Sequence, residues 1–211
     1  MFTYLKQFLA VSLLPLILTA CSQPPEFEAL PRGANVLILG DSLSYGVGAQ
    51  KGEDFPSLLA SSTGWNIINA GVPGDTSADG LERLHDLLEQ HEVDLLIVEL
   101  GGNDFLRRVP EQQTMDNLRA ILDEAKTYGI QPLLLAIPAF SPIGAAMGSL
   151  SDHDIYQRLA NETGTPLITD VFSEVLAKNA LKSDPIHPNA KGYSQVERSL
   201  YKSLKKLGFI D

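Results

Sequence analysis

Five short apolar runs, each set off from the next by amphipathic or polar stretches, constrain this chain more than any other feature. They are 35–40 (NVLILG), 65–71 (WNIINAG), 93–102 (VDLLIVELGG), 131–138 (QPLLLAIP) and 166–171 (PLITDV). Each is continuous and rich in Val, Ile or Leu, the pattern of a strand covered on both faces in a parallel sheet. Helical patterns lie between them. Leu81, Leu84, Leu87 and Leu88 share one face of the segment 76–91, and Met115, Leu118, Ile121, Leu122 and Ala125 do so in 113–129, where Gly129 offers a stop. A last helix carries Tyr193, Val196, Leu200, Leu204 and Leu207 at helical spacing, with Lys202, Lys205 and Lys206 near its C-terminal end. No repeat of 20 to 50 residues is visible, which excludes a solenoid. Alternating strands and helices predict an α/β fold: a three-layer α/β/α sandwich around a parallel sheet of about five strands.

Ligands of such sheets bind beyond the carboxyl ends of the strands, so chemistry should collect where the apolar runs stop. The first run ends in Gly40-Asp41-Ser42, the second in Asn69-Ala70-Gly71 before Gly74-Asp75-Thr76, and the third in Gly101-Gly102-Asn103-Asp104. Any one of these is ordinary turn composition, because Gly, Asn and Asp serve turns for backbone reasons. A fourth segment, 183–193 (SDPIHPNAKGY), sets Asp184 three residues before His187 between two prolines. A carboxylate so close can orient an imidazole through one ring nitrogen and leave the other to accept a proton. Alone, the pair also reads as a loop contact or half a metal site. No second nearby His or Cys completes a zinc set, so the expectation is no metal.

Taken in order, GDSLS (40–44), NAGVPGDTS (69–77), ELGGNDFLR (99–107) and DPIHPN (184–189) resemble the GDSL, or SGNH, hydrolases, most closely their bacterial arylesterase, thioesterase and lysophospholipase branch. The resemblance spans about 34–207 and implies Ser42 as nucleophile, His187 as general base and Asp184 as its orienting partner. It implies an oxyanion hole made by the backbone N–H groups of Ser42 and Gly74 and the side-chain amide of Asn103. No cofactor is implied, and the substrate would be a small acyl ester or a lipid. The chemistry is coherent: a serine hydroxyl needs an adjacent base, and fixed N–H donors stabilise the charge of the tetrahedral intermediate. G-x-S-x-G is absent, so the nucleophile elbow of the α/β-hydrolases is not used. Asp41 stays outside the catalytic set, as a residue that could hold the nucleophile turn. The same machinery could instead release acetyl groups from cell-wall carbohydrate, and a third reading is an inert, lipid-anchored binding protein.

Other polar and aromatic residues carry blander expectations. His85 and His91 read as solvated, His153 as a loop residue, and Trp65 and Tyr156 as packing residues. The stretch 139–150, with Met147, is either one wall of an acyl site or a surface crossover.

The N-terminus reads separately. Lys6 precedes an uncharged apolar stretch, Phe8–Leu18, too short to span a bilayer but suited to a signal peptide, and Leu18-Thr19-Ala20-Cys21 resembles a bacterial lipobox. Cys21 is the single cysteine, so it has no disulfide partner within the chain. The expected organisation is a lipoprotein signal peptide over 1–20, a lipidated Cys21 and tether over 21–33, and the hydrolase domain over 34–211. That places the protein in the bacterial cell envelope, membrane-bound through Cys21, on the periplasmic face of the outer membrane. An uncleaved anchor or an ordinary secretory signal is the other reading. A net charge of −10 argues against nucleic acid, whose phosphates demand a basic face.

Overall fold

The computed structural model describes residues 27–139, 141, 144 and 147–211; the expected signal peptide and Cys21 lie outside them. Five parallel strands form one sheet: β1 (Asn35–Gly40), β2 (Asn66–Gly71), β3 (Leu95–Glu99), β4 (Gln131–Leu135) and β5 (Leu167–Ile168), in the order β2-β1-β3-β4-β5. The connection from β1 goes to one side and the chain then crosses back, so the order reverses between β1 and β3. Such a switch point leaves a crevice at the carboxyl edge, between the loops that leave in opposite directions.

The sheet lies between helices α1 (Ser42–Tyr45), α2 (Phe55–Thr63), α3 (Ser77–Gln90), α4 (Gly102–Arg107), α5 (Glu111–Thr127), α6 (Ile155–Thr163), α7 (Val171–Leu176) and α8 (Ala190–Leu207). The expected stripes are the buried ones. Met115, Leu118, Ile121, Leu122 and Ala125 of α5, and Tyr193, Val196, Leu200 and Leu204 of α8, are excluded from solvent. On α3, Leu84 and Leu88 are buried while Leu81 and Leu87 pack at the core's margin. A capping box between Thr76 and Asp79 starts that helix, and Gly129, at positive φ, follows the end of α5.

Two strands depart from expectation. β1 and β3 are buried along nearly their whole length, but β2 is half-exposed because it is an edge strand with one neighbour. Its Asn69 is there for hydrogen bonding: the amide donates to Ser44 O at 2.7 Å, and its own oxygen accepts from Gly71 N. β5 is only two residues long, shorter than its apolar run.

The segment before β1 is also seated on the body. Phe27 stacks on Phe209 with ring centroids 4.6 Å apart, Phe27 N donates to Leu207 O, and Leu30 N donates to Phe209 O. Residues 27–33, grouped by composition with the tether, therefore dock at the amino edge of the sheet, beside the C-terminal end of α8. Aromatic stacking and two backbone hydrogen bonds fix what Pro and Gly content alone suggested would be loose.

Candidate active site

β1 ends at Gly40 and the chain turns at once into α1, a single helical turn capped by Asp41, whose carboxylate accepts from Leu43 N at 2.9 Å. Ser42 thus occupies the first position of a helix at the carboxyl end of β1, beside the central strand β3. Gly40 pairs with Glu99 of β3, and the Glu99 carboxyl reaches under the turn to accept from Ser44 N at 3.0 Å and Ser44 Oγ at 2.5 Å. A side chain on Gly40 would run into both Ser44 and Glu99, so the close approach requires glycine.

From the far end of the fold comes residue 187. His187 Nε2 lies 2.9 Å from Ser42 Oγ, and its Nδ1 lies 2.7 Å from Asp184 Oδ2. Asp184 also shapes the loop that carries it, its Oδ1 accepting from Ile186 N and His187 N. Burial opposes ionisation of Asp184, but the Ile186 N–H and the His187 imidazole outweigh it and hold the carboxyl below its ordinary value. The loop is closed by Ser183 N donating to His187 O and by a bridge between Lys182 and Pro188. Tyr193 Oη ties α8 to the nucleophile side by donating to Val47 O.

Asn103 stands across the switch point, at the start of α4. Both hydrogens of its amide are engaged: Nδ2 donates to Asp41 Oδ2 and to Asp75 O, each at 2.9 Å. The amide is therefore oriented by the protein, and a substrate oxygen has to share it with these two acceptors. Gly74 sits beside it at φ +91°, its carbonyl turned outward to accept from Arg107 Nη2 at 2.7 Å. Neither the Ser42 nor the Gly74 N–H has a hydrogen-bond partner among the described residues. Arg83 holds the Gly74 loop in place, pairing with Asp75 at 2.8 Å and donating to Gly40 O.

All five residues singled out by sequence, Ser42, Gly74, Asn103, Asp184 and His187, thus converge on one edge. Asp41 holds the nucleophile turn as the sequence suggested, but sequence reasoning missed its link to Asn103 and missed Glu99 and Asp104 beneath the site. Asp41 is only 2% exposed and links the cap of α1 to the Asn103 amide. Burial raises its carboxyl to about 6, a shift that the Leu43 N–H and the nearby His187 reduce. Glu99, fully buried, is pushed well above the ordinary carboxylate range by burial and then by the neighbouring Asp41. Asp104, also buried, accepts from Ser77 N, Ser77 Oγ and Thr114 Oγ1, and so joins the starts of α3, α4 and α5. An acid at the end of an apolar run was the available signal; its partners were not visible.

A cavity of about 280 Å³ opens beside Ser42 and His187. Its wall is mostly apolar, with Leu43, Leu106, Ile137, Pro138, Leu176 and Ile186. Ala139, Ser141 and Leu150 also line it, so the stretch 139–150 does contribute to the wall, whereas Met147 is 77% exposed and is not part of it. Tyr156 is a packing residue, buried and donating to Leu100 O, and Trp65 is buried too. His85 is exposed beside Tyr128, and His153 stacks on Phe105 at 4.1 Å. Glu111, His153 and Asp154 approach as metal ligands might, but the Arg158 guanidinium already lies against both carboxylates.

Comparison with known proteins decides what this geometry belongs to. Residues 38–195 match the GDSL-like lipase/acylhydrolase family. The chain belongs to that family. This GDSL hydrolase is 38% identical over 177 residues to thioesterase 1/protease 1/lysophospholipase L1 of Escherichia coli, covering 82% of this chain and 84% of that protein. It is 30% identical over 202 residues to an arylesterase of Vibrio mimicus, at 93% and 98% coverage. Among solved structures, a psychrotrophic esterase, EstA, from Pseudoalteromonas sp., inhibited by monoethylphosphonate, superposes with a TM-score of 0.71 at 31% identity, covering 82% of this chain and 97% of that one. The family and its esterase and thioesterase members make this chain a carboxylic ester hydrolase of the serine type.

Proposed function

We propose that the GDSL hydrolase cleaves acyl esters and thioesters through an acyl-enzyme on Ser42. His187 Nε2 takes the proton as Ser42 Oγ attacks the carbonyl carbon, and returns it to the leaving alcohol or thiol as the tetrahedral intermediate collapses. A water, deprotonated by the same nitrogen, then releases the acid. Asp184 holds the imidazole through Nδ1 and stabilises its charged form. The oxyanion is met by the N–H groups of Ser42 and Gly74 and by the Asn103 amide, which Asp41 and Asp75 keep aimed at the site. The single observation that carries this reading is the chain of contacts Ser42–His187–Asp184 at 2.9 and 2.7 Å.

The cavity supports an acyl group as the part bound most closely. At about 280 Å³ it lies just below the usual range for small-molecule pockets, and its wall is mostly apolar. Both features suit short and medium acyl chains on aromatic, thiol or lysophospholipid leaving groups, the classes named among the relatives. They do not favour a polyhydroxylated cell-wall carbohydrate. Lys6, the apolar stretch 8–18 and Leu18-Thr19-Ala20-Cys21 support export, cleavage before Cys21, lipidation of that residue and residence in the bacterial envelope at the periplasmic face of the outer membrane.

Ser42→Ala tests the assignment. We expect p-nitrophenyl ester hydrolysis to fall by about 10⁴-fold or more with circular dichroism and thermal unfolding unchanged. Hydrolysis at the wild-type rate would remove Ser42 from the mechanism.

A further inference from the structure

We infer that the membrane-held enzyme faces away from the leaflet that carries it, so that its esters arrive from the aqueous side. The inference rests on the reading of Cys21 as a membrane attachment. Its structural basis is where the chain enters the fold. The cavity and Ser42 lie at the carboxyl edge of the sheet; Phe27, stacked on Phe209 and bonded to Leu207 O, lies at the opposite edge. Helix α8 runs between the two poles, starting just after His187 and ending at Leu207. Its 18 residues span about 27 Å at 1.5 Å per residue.

Six peptide steps separate Cys21 from Phe27, and even fully extended they reach only about 22 Å. For the cavity to meet the leaflet that holds Cys21, the body would have to turn over, and the tether would then have to run the height of α8 and around the helices. It is too short. The docking of 27–33 decides this: were those residues free, the reach from Cys21 to Ala34 would be roughly 45 Å, enough to let the body invert. The Phe27–Phe209 stack and the Leu30–Phe209 hydrogen bond therefore limit which substrates the site can meet. Dissolved esters and thioesters qualify, and so do esters presented by a facing surface; acyl lipids of the home leaflet do not.

The test uses the full-length lipidated protein in phospholipid vesicles and two fluorophosphonate probes. One is water-soluble; the other is carried on a dialkylglycerol that stays in the vesicle holding the enzyme. We expect the soluble probe to label Ser42 at the same rate in vesicles and in detergent. The lipid-borne probe should label at least tenfold more slowly in the shared vesicle than in mixed detergent micelles. Inserting about 40 Gly/Ser residues after Ser22 gives a root-mean-square reach of about 35 Å and should restore labelling. Equal labelling by the lipid-borne probe at native spacing would overturn the inference, as would a long-linker variant that remains unlabelled in vesicles but is labelled in micelles. Failure of the soluble probe in detergent would instead strike the assignment of Ser42. A Cys21 peptide whose mass lacks the diacylglyceryl group would remove the attachment, and the inference with it.

Discussion

The nucleophile turn and the histidine loop meet at a single 2.9 Å contact, yet they are held by different means. The turn carrying Ser42 is held by two buried acids whose partners are remote in sequence: Glu99, from β3, accepts from Ser44, while Asp41, on the turn itself and 2% exposed, reaches across to Asn103. The loop carrying His187 is largely self-made. Asp184 shapes it with two bonds to N–H groups two and three residues on, and the Asp184 side chain is 43% exposed. One side is fixed by tertiary structure in a dry setting; the other is a local motif at the solvent boundary. The difference suits the chemistry. Groups that stabilise developing charge must be set in advance, whereas the base must pass a proton between alcohol, leaving group and water.

Breaking the local side should have the largest effect after loss of the nucleophile itself. Asp184→Asn should lower kcat/KM by about 10³-fold, somewhat less than the roughly 10⁴ seen where such an aspartate is buried, because water can solvate the imidazolium at an exposed position. A loss under tenfold in ester hydrolysis would show that His187 is oriented by the loop backbone alone.

Breaking the other side should cost less in rate. Asn103→Ala removes one of the proposed oxyanion donors and should lower kcat by about 10²- to 10³-fold with little change in KM. A rise in KM at constant kcat would assign Asn103 to substrate binding instead.

Asp41→Asn sharpens the comparison through stability and pH. The Asp41 carboxyl is raised by burial from its ordinary value of 3.8 to about 6, so the fold binds its proton more tightly than the unfolded chain does. That contribution is fully present below about pH 4 and is lost as pH rises through 6. The asparagine variant lacks this loss. Its stability relative to wild type should therefore improve by about 3 kcal/mol between pH 3.5 and pH 7.5 in urea titrations. Activity should fall even so, because an amide at residue 41 can turn a donor towards the Asn103 amide. An unchanged stability difference across that range would mean that burial does not move the Asp41 carboxyl from its ordinary value.

Glu99→Gln should do least. Burial and Asp41 push the Glu99 carboxyl towards its neutral form, so the neutral amide should shift stability at pH 7 by less than about 1 kcal/mol while its oxygen still accepts from Ser44. A stabilisation of several kcal/mol, read from the urea midpoint, would reveal a buried carboxylate beneath the turn.

The same contrast explains what could be read before the fold was known. The apolar runs ending in Gly40, Gly71 and Gly101 announced the strands, because a strand between two helical layers must be apolar along its length and a ligand-bearing turn at its end cannot be. Asp184 and His187 announced themselves because they stand three positions apart and the loop needs nothing remote to close. β2 is the strand its apolar run announced, but as an edge strand with one neighbour it is not covered on both faces and keeps Asn69 for its own bonds. Asp41 and Glu99 were letters without partners: Asn103 lies 62 residues from the first and Ser44 lies 55 from the second.

Local order, then, was written in the chain itself: which segments extend, which coil with one oily face, and where an imidazole finds its acid. Tertiary structure alone decided that two buried acids support the turn that carries Ser42, that both Asn103 amide hydrogens are engaged, and that residues 27–33 lie at the pole opposite the cavity. The physical reason is the range of the forces involved. Apolar periodicity and short loops act between neighbours in sequence, whereas desolvation and a hydrogen bond across the sheet exist only once packing brings distant residues together and removes the water between them.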